Sequence, residues 1–372
     1  MASHFRTLTI EDVRRETADC VSIAFKIPSE LKEEFSFHQG QNVTVRLTIN
    51  GQEVRRSYSI CSSPLDGELR IAVKKVESGV FSTYANEQLQ KGHTLEVLPP
   101  TGKFYTELNA SNRKHYLAFA AGSGITPVLS LIKTTLALEP ESSFTLVYGN
   151  RQRTSILFRE ELEALKNRYI QRLSIHHILS REQMDIPLNQ GRIDVKKCGE
   201  LCGRLIDLST VDEVFLCGPA EMIFTVRDWL HQQGIDQKKI HFELFQTQTG
   251  EPGVGRELAG RASEAHRATH AAQKAAPEKI SQVTIRLDGV NYEFQLPYDG
   301  ASILDAALLQ GADLPFACKG GVCCTCRAKL TEGKIEMEVN YALEEDEVAA
   351  GFILTCQSHP RSEKVVIDFD AK

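Results

Sequence analysis

The sequence predicts three domains in series: an antiparallel β-barrel, an α/β domain on a parallel sheet, and an α+β domain built around clustered cysteines. Short alternating strands fill the start of the chain, strands alternate with helices from about residue 115, and five of the ten cysteines fall between Cys318 and Cys356. These patterns place domains at residues 1–110, 111–246 and 279–372, with residues 247–278 as a flexible linker between the last two.

A chain of 372 residues, 42% hydrophobic and 25% charged, is long enough for two or three packed domains. No apolar run approaches the ~18 residues of a membrane span, and residues 1–10 alternate polar and apolar without a basic-then-apolar leader. The expectation is a cytoplasmic protein without a membrane partner. The net charge of -6 sits at one end: residues 279–372 carry 9 Lys and Arg against 15 Asp and Glu. No basic footprint for nucleic acid is present, and the acidic end suits a basic partner surface.

In the first domain, strands are predicted at residues 5–11, 20–27, 42–49, 54–60, 69–76 and 94–98, punctuated by Gly51, Gly67 and Gly92. The second reads as strand 116–120, helix 127–139, strand 144–148, helix 155–167 and strand 173–179, then strand 213–216, helix 220–233 and strand 240–245. Residues 247–279 lack apolar periodicity and are rich in Ala, Gly, Gln and charge, as linkers are. In the third domain, strands 283–287 and 292–296 flank the Asp288-Gly289 hairpin signal, and a helix over 302–310 leads into the cysteine loop.

Cys318, Cys323 and Cys326 form a CxxxxCxxC run and Cys356 follows after 29 intervening residues, the spacing of a plant-type 2Fe-2S site. Four thiolates must converge on two irons inside a tight loop, for which Gly320 and Gly321 supply the backbone. Zinc also accepts four thiolates, but its structural sites usually pair their ligands as two CxxC-like knuckles, which this arrangement does not do. Cys324, Cys20, Cys61, Cys198 and Cys202 read as packing thiols.

Arg56-Ser57-Tyr58-Ser59 closes one barrel strand, with Arg56 and Tyr58 on one face and Ser57 and Ser59 on the other. The functional reading puts Arg56 on a flavin pyrophosphate, Tyr58 against the isoalloxazine and Ser59 near its reactive N5; the plain alternative is a strand with a core tyrosine. Gly79-Val80-Phe81-Ser82-Thr83, just after Lys74, opens a short helix whose free N–H groups and hydroxyls suit a diphosphate, so the two elements together favour flavin. Gly122-Ser123-Gly124-Ile125-Thr126-Pro127 departs from GxGxxG but keeps its strand–glycine–helix logic, with Thr126 capping and Pro127 in the first turn. Arg151 and Arg153 follow the next strand with no acid nearby in sequence, favouring the 2'-phosphate of NADPH over NADH; exposed loop arginines are the alternative. Cys217-Gly218-Pro219 ends a later strand at the same sheet edge, its small thiol fitting beside a nicotinamide.

This order of motifs resembles the ferredoxin-NADP reductase superfamily with a plant-type ferredoxin domain fused at the C-terminus, over nearly the whole chain. The stretch 317–323, the run Glu338-Val339-Asn340-Tyr341-Ala342-Leu343 and Thr355-Cys356-Gln357-Ser358 further resemble the reductase subunits of ring-1,2-phenylacetyl-CoA epoxidases. The resemblance implies a β-grasp fold for the third domain. It implies FAD, NADPH and a 2Fe-2S cluster, with electrons passed to the di-iron oxygenase subunit of a multicomponent monooxygenase. It carries Arg56, Tyr58 and Ser59 to the flavin, Thr126 and Cys217 to the nicotinamide, and the four cysteines to iron. His241-Phe242-Glu243-Leu244-Phe245 stands where parts of the superfamily put an acid or aromatic ring on the flavin, without assigning either role here. Rival readings are a reductase for a ring-hydroxylating dioxygenase or steroid hydroxylase, and a zinc-stabilised binding protein without catalysis. The acidic run 344–347 reads either as a docking face for the oxygenase or as a solvated helix face.

Overall fold

Six antiparallel strands open the chain: β1 (Arg6–Thr17), β2 (Cys20–Lys26), β3 (Asn42–Ile49), β4 (Gln52–Ser59), β5 (Leu69–Lys74) and β6 (Thr94–Val97), in sheet order β4-β3-β6-β1-β2-β5. A bridge between Ile60 and Ile71, with Cys61 N–H donating to Arg70 O, joins the chain just past one edge strand to the other and curls the sheet toward a barrel. Alternation decides what fills it: Leu8, Ile10, Val21, Ile23, Val43, Val45, Ile71 and Val97 point inward and are buried. Helix α1 (Val80–Glu87) closes the domain through Phe81 and Ala85.

The computed structural model describes residues 4–245 and 279–371; residues 247–278, read as the linker, lie outside the described residues. Two compact units result, the larger formed by Thr7–Val54 and Tyr58–Phe245, the smaller including the residues from 279 onward.

Past the barrel, five parallel strands, β7 (His115–Ala121), β8 (Ser143–Asn150), β9 (Leu173–Leu179), β10 (Glu213–Gly218) and β11 (Ile240–Leu244), stand in the order β11-β10-β7-β8-β9. The order reverses beside β7, so the C-terminal ends of β7 and β10 flank a crevice in which such sheets bind ligands. Helices α2 (Ile125–Leu138), α3 (Arg159–Arg168), α4 (Val195–Cys202) and α5 (Ala220–Gln232) connect the strands. The near-continuous apolar strands Tyr116-Leu117-Ala118-Phe119-Ala120 and Val214-Phe215-Leu216-Cys217 are buried on both faces, as a parallel sheet requires. Helix α4, capped by Asp194 accepting from Lys197 N–H, was not expected from the sequence.

In the third domain β12 (Ile280–Leu287) and β13 (Val290–Pro297) form the hairpin expected around Asp288-Gly289, both with positive φ. They join β14 (Arg327–Glu332), β16 (Phe352–Leu354) and β18 (Lys364–Asp368) in the order β13-β12-β18-β14-β16, while β15 (Ile335–Met337) pairs with β17 (Ser358–Pro360). Helix α6 (Ile303–Leu309) starts at Ser302, whose hydroxyl accepts from Asp305 N–H, and buries Ile303, Leu304 and Ala307 across the sheet. A mixed sheet grasping one helix is the α+β arrangement expected of the cysteine domain.

Candidate active site and metal centre

Ser59 ends β4 and Glu243 lies on β11, yet the fold brings them together: Ser59 Oγ donates to Glu243 Oε2 at 2.7 Å. Asn42 Nδ2, on β3, approaches Oε1 of the same carboxylate at 3.4 Å. Glu243 is the cross-strand partner of Cys217 in the parallel register of β10 and β11. Burial pushes the Glu243 carboxyl up to about 7, against the hydrogen bonds from Ser59 and Asn42. The residue stays partly accessible at its surface, so solvent moderates that effect. Burial, reinforced by the Glu243 charge, drives the Cys217 thiol well above its usual range, so it stays a neutral S–H. A hydroxyl, a thiol and a protonatable carboxyl thus meet where the barrel faces the sheet's C-terminal edge.

Tyr58 and Phe81 stack obliquely, ring centroids 5.6 Å apart, which ties the motif strand to α1. Arg56 is half-buried on β4, Lys74 ends β5 beside Asp19 at 3.6 Å, and Gly79 caps α1, followed by exposed Val80 and buried Phe81 and Ser82. Ser82 Oγ bonds Gly79 O and accepts from Val76 N–H, folding the turn over the helix start. The site fits a large polar ligand on one independent count: Asn42 Oδ1 is buried with no hydrogen-bond partner among the described residues.

The glycine turn is built for close approach. Gly122 has φ 54, a conformation side chains disfavour, and Gly124 lies so near β10 that a Cβ there would meet Cys217 O at 2.1 Å. Thr126 Oγ1 donates to Ser123 O, and Pro127 enters α2 buried. Gly218 and Pro219 lead into α5, so Cys217 and the glycine turn share one strand-end crevice.

In the third domain the four expected sulfurs converge. Cys323 Sγ lies 3.2 Å from Cys318 Sγ, and thiol hydrogen bonds join Cys356 to Cys318 and to Cys326. Gly320 N–H points at Cys318 Sγ at 3.3 Å. The four thiols run as one chain, Cys323–Cys318–Cys356–Cys326, and this donor set fits a 2Fe-2S cluster. Cys324 turns away, its Sγ bonded to Ala342 O at 3.2 Å, in keeping with a packing role.

Models of three domain families match in the same order: an oxidoreductase FAD-binding domain over residues 7–105, an oxidoreductase NAD-binding domain over 119–228 and a 2Fe-2S iron-sulfur cluster binding domain over 285–361. The 1,2-phenylacetyl-CoA epoxidase of Escherichia coli (strain K12) has a component 47% identical to this chain, over 99% of this chain and 98% of its own. The chain belongs to the FAD- and NAD-domain reductase components of multicomponent oxygenases that carry a fused 2Fe-2S domain. The ferredoxin reductase component of the Rhodococcus rhodochrous 3-ketosteroid-9-alpha-monooxygenase is 34% identical over 97% of this chain and 96% of its own. Phthalate dioxygenase reductase shares the fold, with a TM-score of 0.54 at 23% identity over 98% of both chains. An intact type IV self-sufficient cytochrome P450 monooxygenase gives a TM-score of 0.68 at 21% identity, covering 98% of this chain and 41% of its own.

In this oxygenase reductase, Arg151 and Arg153 emerge exposed just past β8. An acid does stand there, supplied from just past the end of β9: Glu182 accepts from Arg153 Nε at 3.1 Å and from its backbone N–H at 2.8 Å. Arg181 N–H donates to Arg151 O, so a third arginine reaches the same strand ends. Sequence reasoning missed Arg181 and Glu182 because nothing local in the sequence signals the β8–β9 pairing that places them. It also left Glu243 and Asn42 without roles, because their contact forms only where the barrel meets the sheet. In the acidic run, Glu347 is buried and pairs with Arg327 at 3.1 Å, which leaves Glu344, Glu345 and Asp346 as its exposed members. No helix among the described residues is long and apolar enough to cross a membrane.

Proposed function

We propose that the chain takes electrons from NADPH through FAD to a 2Fe-2S cluster and delivers them to the di-iron oxygenase of a phenylacetyl-CoA epoxidase complex in the cytoplasm. Its domains run over residues 1–110, 111–246 and 279–372. The observation that carries the choice of acceptor is the 47% identity, spread over 99% of the chain, to a component named for that epoxidase. The 34% identity to a ketosteroid monooxygenase reductase favours the second reading, the same module serving a steroid hydroxylase.

Flavin, when bound, accepts the two electrons of a hydride and releases them one at a time, which the cluster requires. The chain's own groups do the rest. Arg56 and Lys74 hold the diphosphate with the N–H groups that Val80, Phe81 and Ser82 present at the start of α1, while Gly79, its own N–H committed to Val76 O, opens the turn. Tyr58 covers the ring, and Ser59 donates to the ring's reactive edge or to Glu243. Gly122, Gly124, Thr126 and Pro127 shape a backbone cradle for the nicotinamide nucleotide, with Gly218 and Pro219 opposite. Cys217, a neutral thiol, fills the space beneath the nicotinamide without competing as a nucleophile. Glu243, poised near neutrality, holds or gives up a proton through Ser59 as charge on the flavin changes. Arg151 and Arg153 receive the 2'-phosphate. Cys318, Cys323, Cys326 and Cys356 would hold the 2Fe-2S cluster through their thiolates.

Anaerobic purification and a visible spectrum before and after NADPH test the redox part: flavin and cluster bands should both bleach. NADPH-driven turnover with purified oxygenase components tests the partner, using the epoxidase and a ketosteroid hydroxylase side by side. Turnover with the ketosteroid hydroxylase alone would transfer the assignment to the second reading.

A further inference from the structure

Gln357 follows the last cluster cysteine and is buried, a costly place for a primary amide unless its hydrogen bonds are met. Its Nε2 faces three acceptors: Cys356 O at 2.9 Å, Lys319 O at 3.1 Å and Cys356 Sγ at 3.7 Å. Three acceptors on one side of the amide permit only nitrogen there, which fixes the orientation of a group whose two ends otherwise look alike. Two N–H bonds meet three acceptors, so one donor is shared, and the Cys356 sulfur lies within reach at 3.7 Å.

The surroundings are shaped to admit this amide. Gln357 N–H donates to Leu354 O, and its carbonyl accepts from Glu338 N–H at 2.9 Å, so the backbone on both sides is fixed. Gly321 has φ 71, and a Cβ there would come within 2.9 Å of Val339 O and 3.2 Å of Gln357 Cγ. Packing, a glycine and two carbonyls therefore converge on holding one neutral donor against a ligand sulfur. The side chain also spans the ligand loop, from Cys356 to the residue after Cys318.

We infer that Gln357 is a positioning residue whose side-chain amide donates to the Cys356 sulfur and raises the reduction potential of the cluster. The inference rests on the 2Fe-2S reading of the four cysteines. One-electron reduction adds negative charge that the cluster spreads over its sulfurs, so a fixed N–H dipole at a sulfur favours the reduced form over the oxidised one. Burial keeps water from supplying the same donor when the amide is gone. The effect is to ease the electron's step from flavin to cluster without changing the ligands.

Redox titration of the full-length protein under anaerobic conditions, followed by the paramagnetic signal of the reduced cluster, tests this with Gln357→Met and Gln357→Glu. Met keeps the side-chain length and removes the donor; Glu keeps the shape and replaces the donor by negative charge. At a fixed solution potential, the reduced-to-oxidised ratio should fall about three- to tenfold in Gln357→Met. Tenfold corresponds to about 59 mV for one electron. Gln357→Glu should fall further. Midpoints equal to that of the unaltered protein in iron-replete variants would overturn the inference and confine Gln357 to a structural role. Should both variants lose iron, the unaltered protein labelled with nitrogen-15 in its glutamine side chains decides the matter. A hyperfine coupling from that nitrogen to the reduced cluster is expected, and its absence overturns the proposal. An unaltered protein without iron sinks the 2Fe-2S reading itself, which is a separate failure.

Discussion

Ser59 and Glu243 share a 2.7 Å hydrogen bond, with the serine hydroxyl as donor, across the junction of the barrel and the parallel sheet. The bond joins the end of a motif strand to a residue far along the chain, and it places a partly ionised acid beside the position assigned to the flavin's reactive edge.

That acid gives stability a pH dependence. Its folded pKa of about 7 lies above the 4.5 of an unperturbed glutamate, so the folded state binds the proton more tightly. The stabilising contribution is fully present below about 4.5 and is lost as pH rises through 7. Glu243→Gln removes the penalty of the buried charge. Relative to the unaltered protein, it should gain roughly 1–2 kcal/mol between pH 5 and pH 8, after allowance for partial exposure. Urea unfolding of the flavin-loaded chain at the two pH values measures this, and parallel changes in both proteins would show that Glu243 ionises normally.

The thiol chain Cys323–Cys318–Cys356–Cys326 makes a contrasting pair of variants informative. Cys356→Ser should lose the paramagnetic signal of the reduced cluster and most of the iron, whereas Cys324→Ser, whose sulfur bonds the Ala342 carbonyl, should keep both. NADPH-dependent ferricyanide reduction, which needs only the flavin, should persist in each. Iron retained in Cys356→Ser would remove that residue from the ligand set.

Much of this was legible in the sequence because local patterns wrote it. The strands at 42–49 and 173–179 coincide with β3 and β9, since alternation or an unbroken apolar run bounded by turn residues leaves little freedom. The meeting of the four cysteines was legible for a different reason: three of the four sit in one tight loop, so spacing alone brings their sulfurs close. Glu243 and Asn42 were not, because their pairing needs the barrel and the sheet to meet, and neither has a motif of its own. Glu182 shows the limit most clearly. The stretch after β8 contains no acid, yet the sheet register brings one to Arg153 from past the end of β9.

That ion pair bears on the choice of nicotinamide nucleotide. Arg153 already spends one donor on Glu182, so Arg151 should carry more of the 2'-phosphate. Arg151→Ala should lower kcat/KM for NADPH about tenfold or more while changing that for NADH less than about threefold, and Arg153→Ala should do less. Steady-state cytochrome c reduction with each nucleotide gives the ratio. Equal losses with both nucleotides would place Arg151 on a shared part of the ligand.

The exposed acids Glu345 and Asp346 remain available for a partner once Glu347 is committed to Arg327. Their reversal to lysine should slow oxygenase-coupled turnover about three- to tenfold at low ionic strength, with the difference shrinking as salt is added. Cytochrome c is basic and would itself feel the change, so ferricyanide reduction is the control that should hold constant.

Gly124 offers the sharpest test of the nicotinamide crevice. Its φ of -61 is open to any residue, so the glycine is not demanded by backbone conformation. Space demands it: a Cβ would lie 2.1 Å from Cys217 O and 2.8 Å from Gly218 N, both backbone atoms that cannot swing aside as a side chain would. Gly124→Ala must therefore push the end of β10 away from the turn and carry the Cys217 sulfur with it. A displacement of about 1 Å at a reacting centre can cost on the order of a hundredfold in rate. Flavin bleaching by NADPH in a rapid-mixing experiment should slow by about that factor, while flavin content and dithionite reduction of the cluster stay unchanged. Unaltered bleaching would mean that hydride transfer does not depend on the spacing between the glycine turn and Cys217, and that the nicotinamide lies elsewhere along the strand ends.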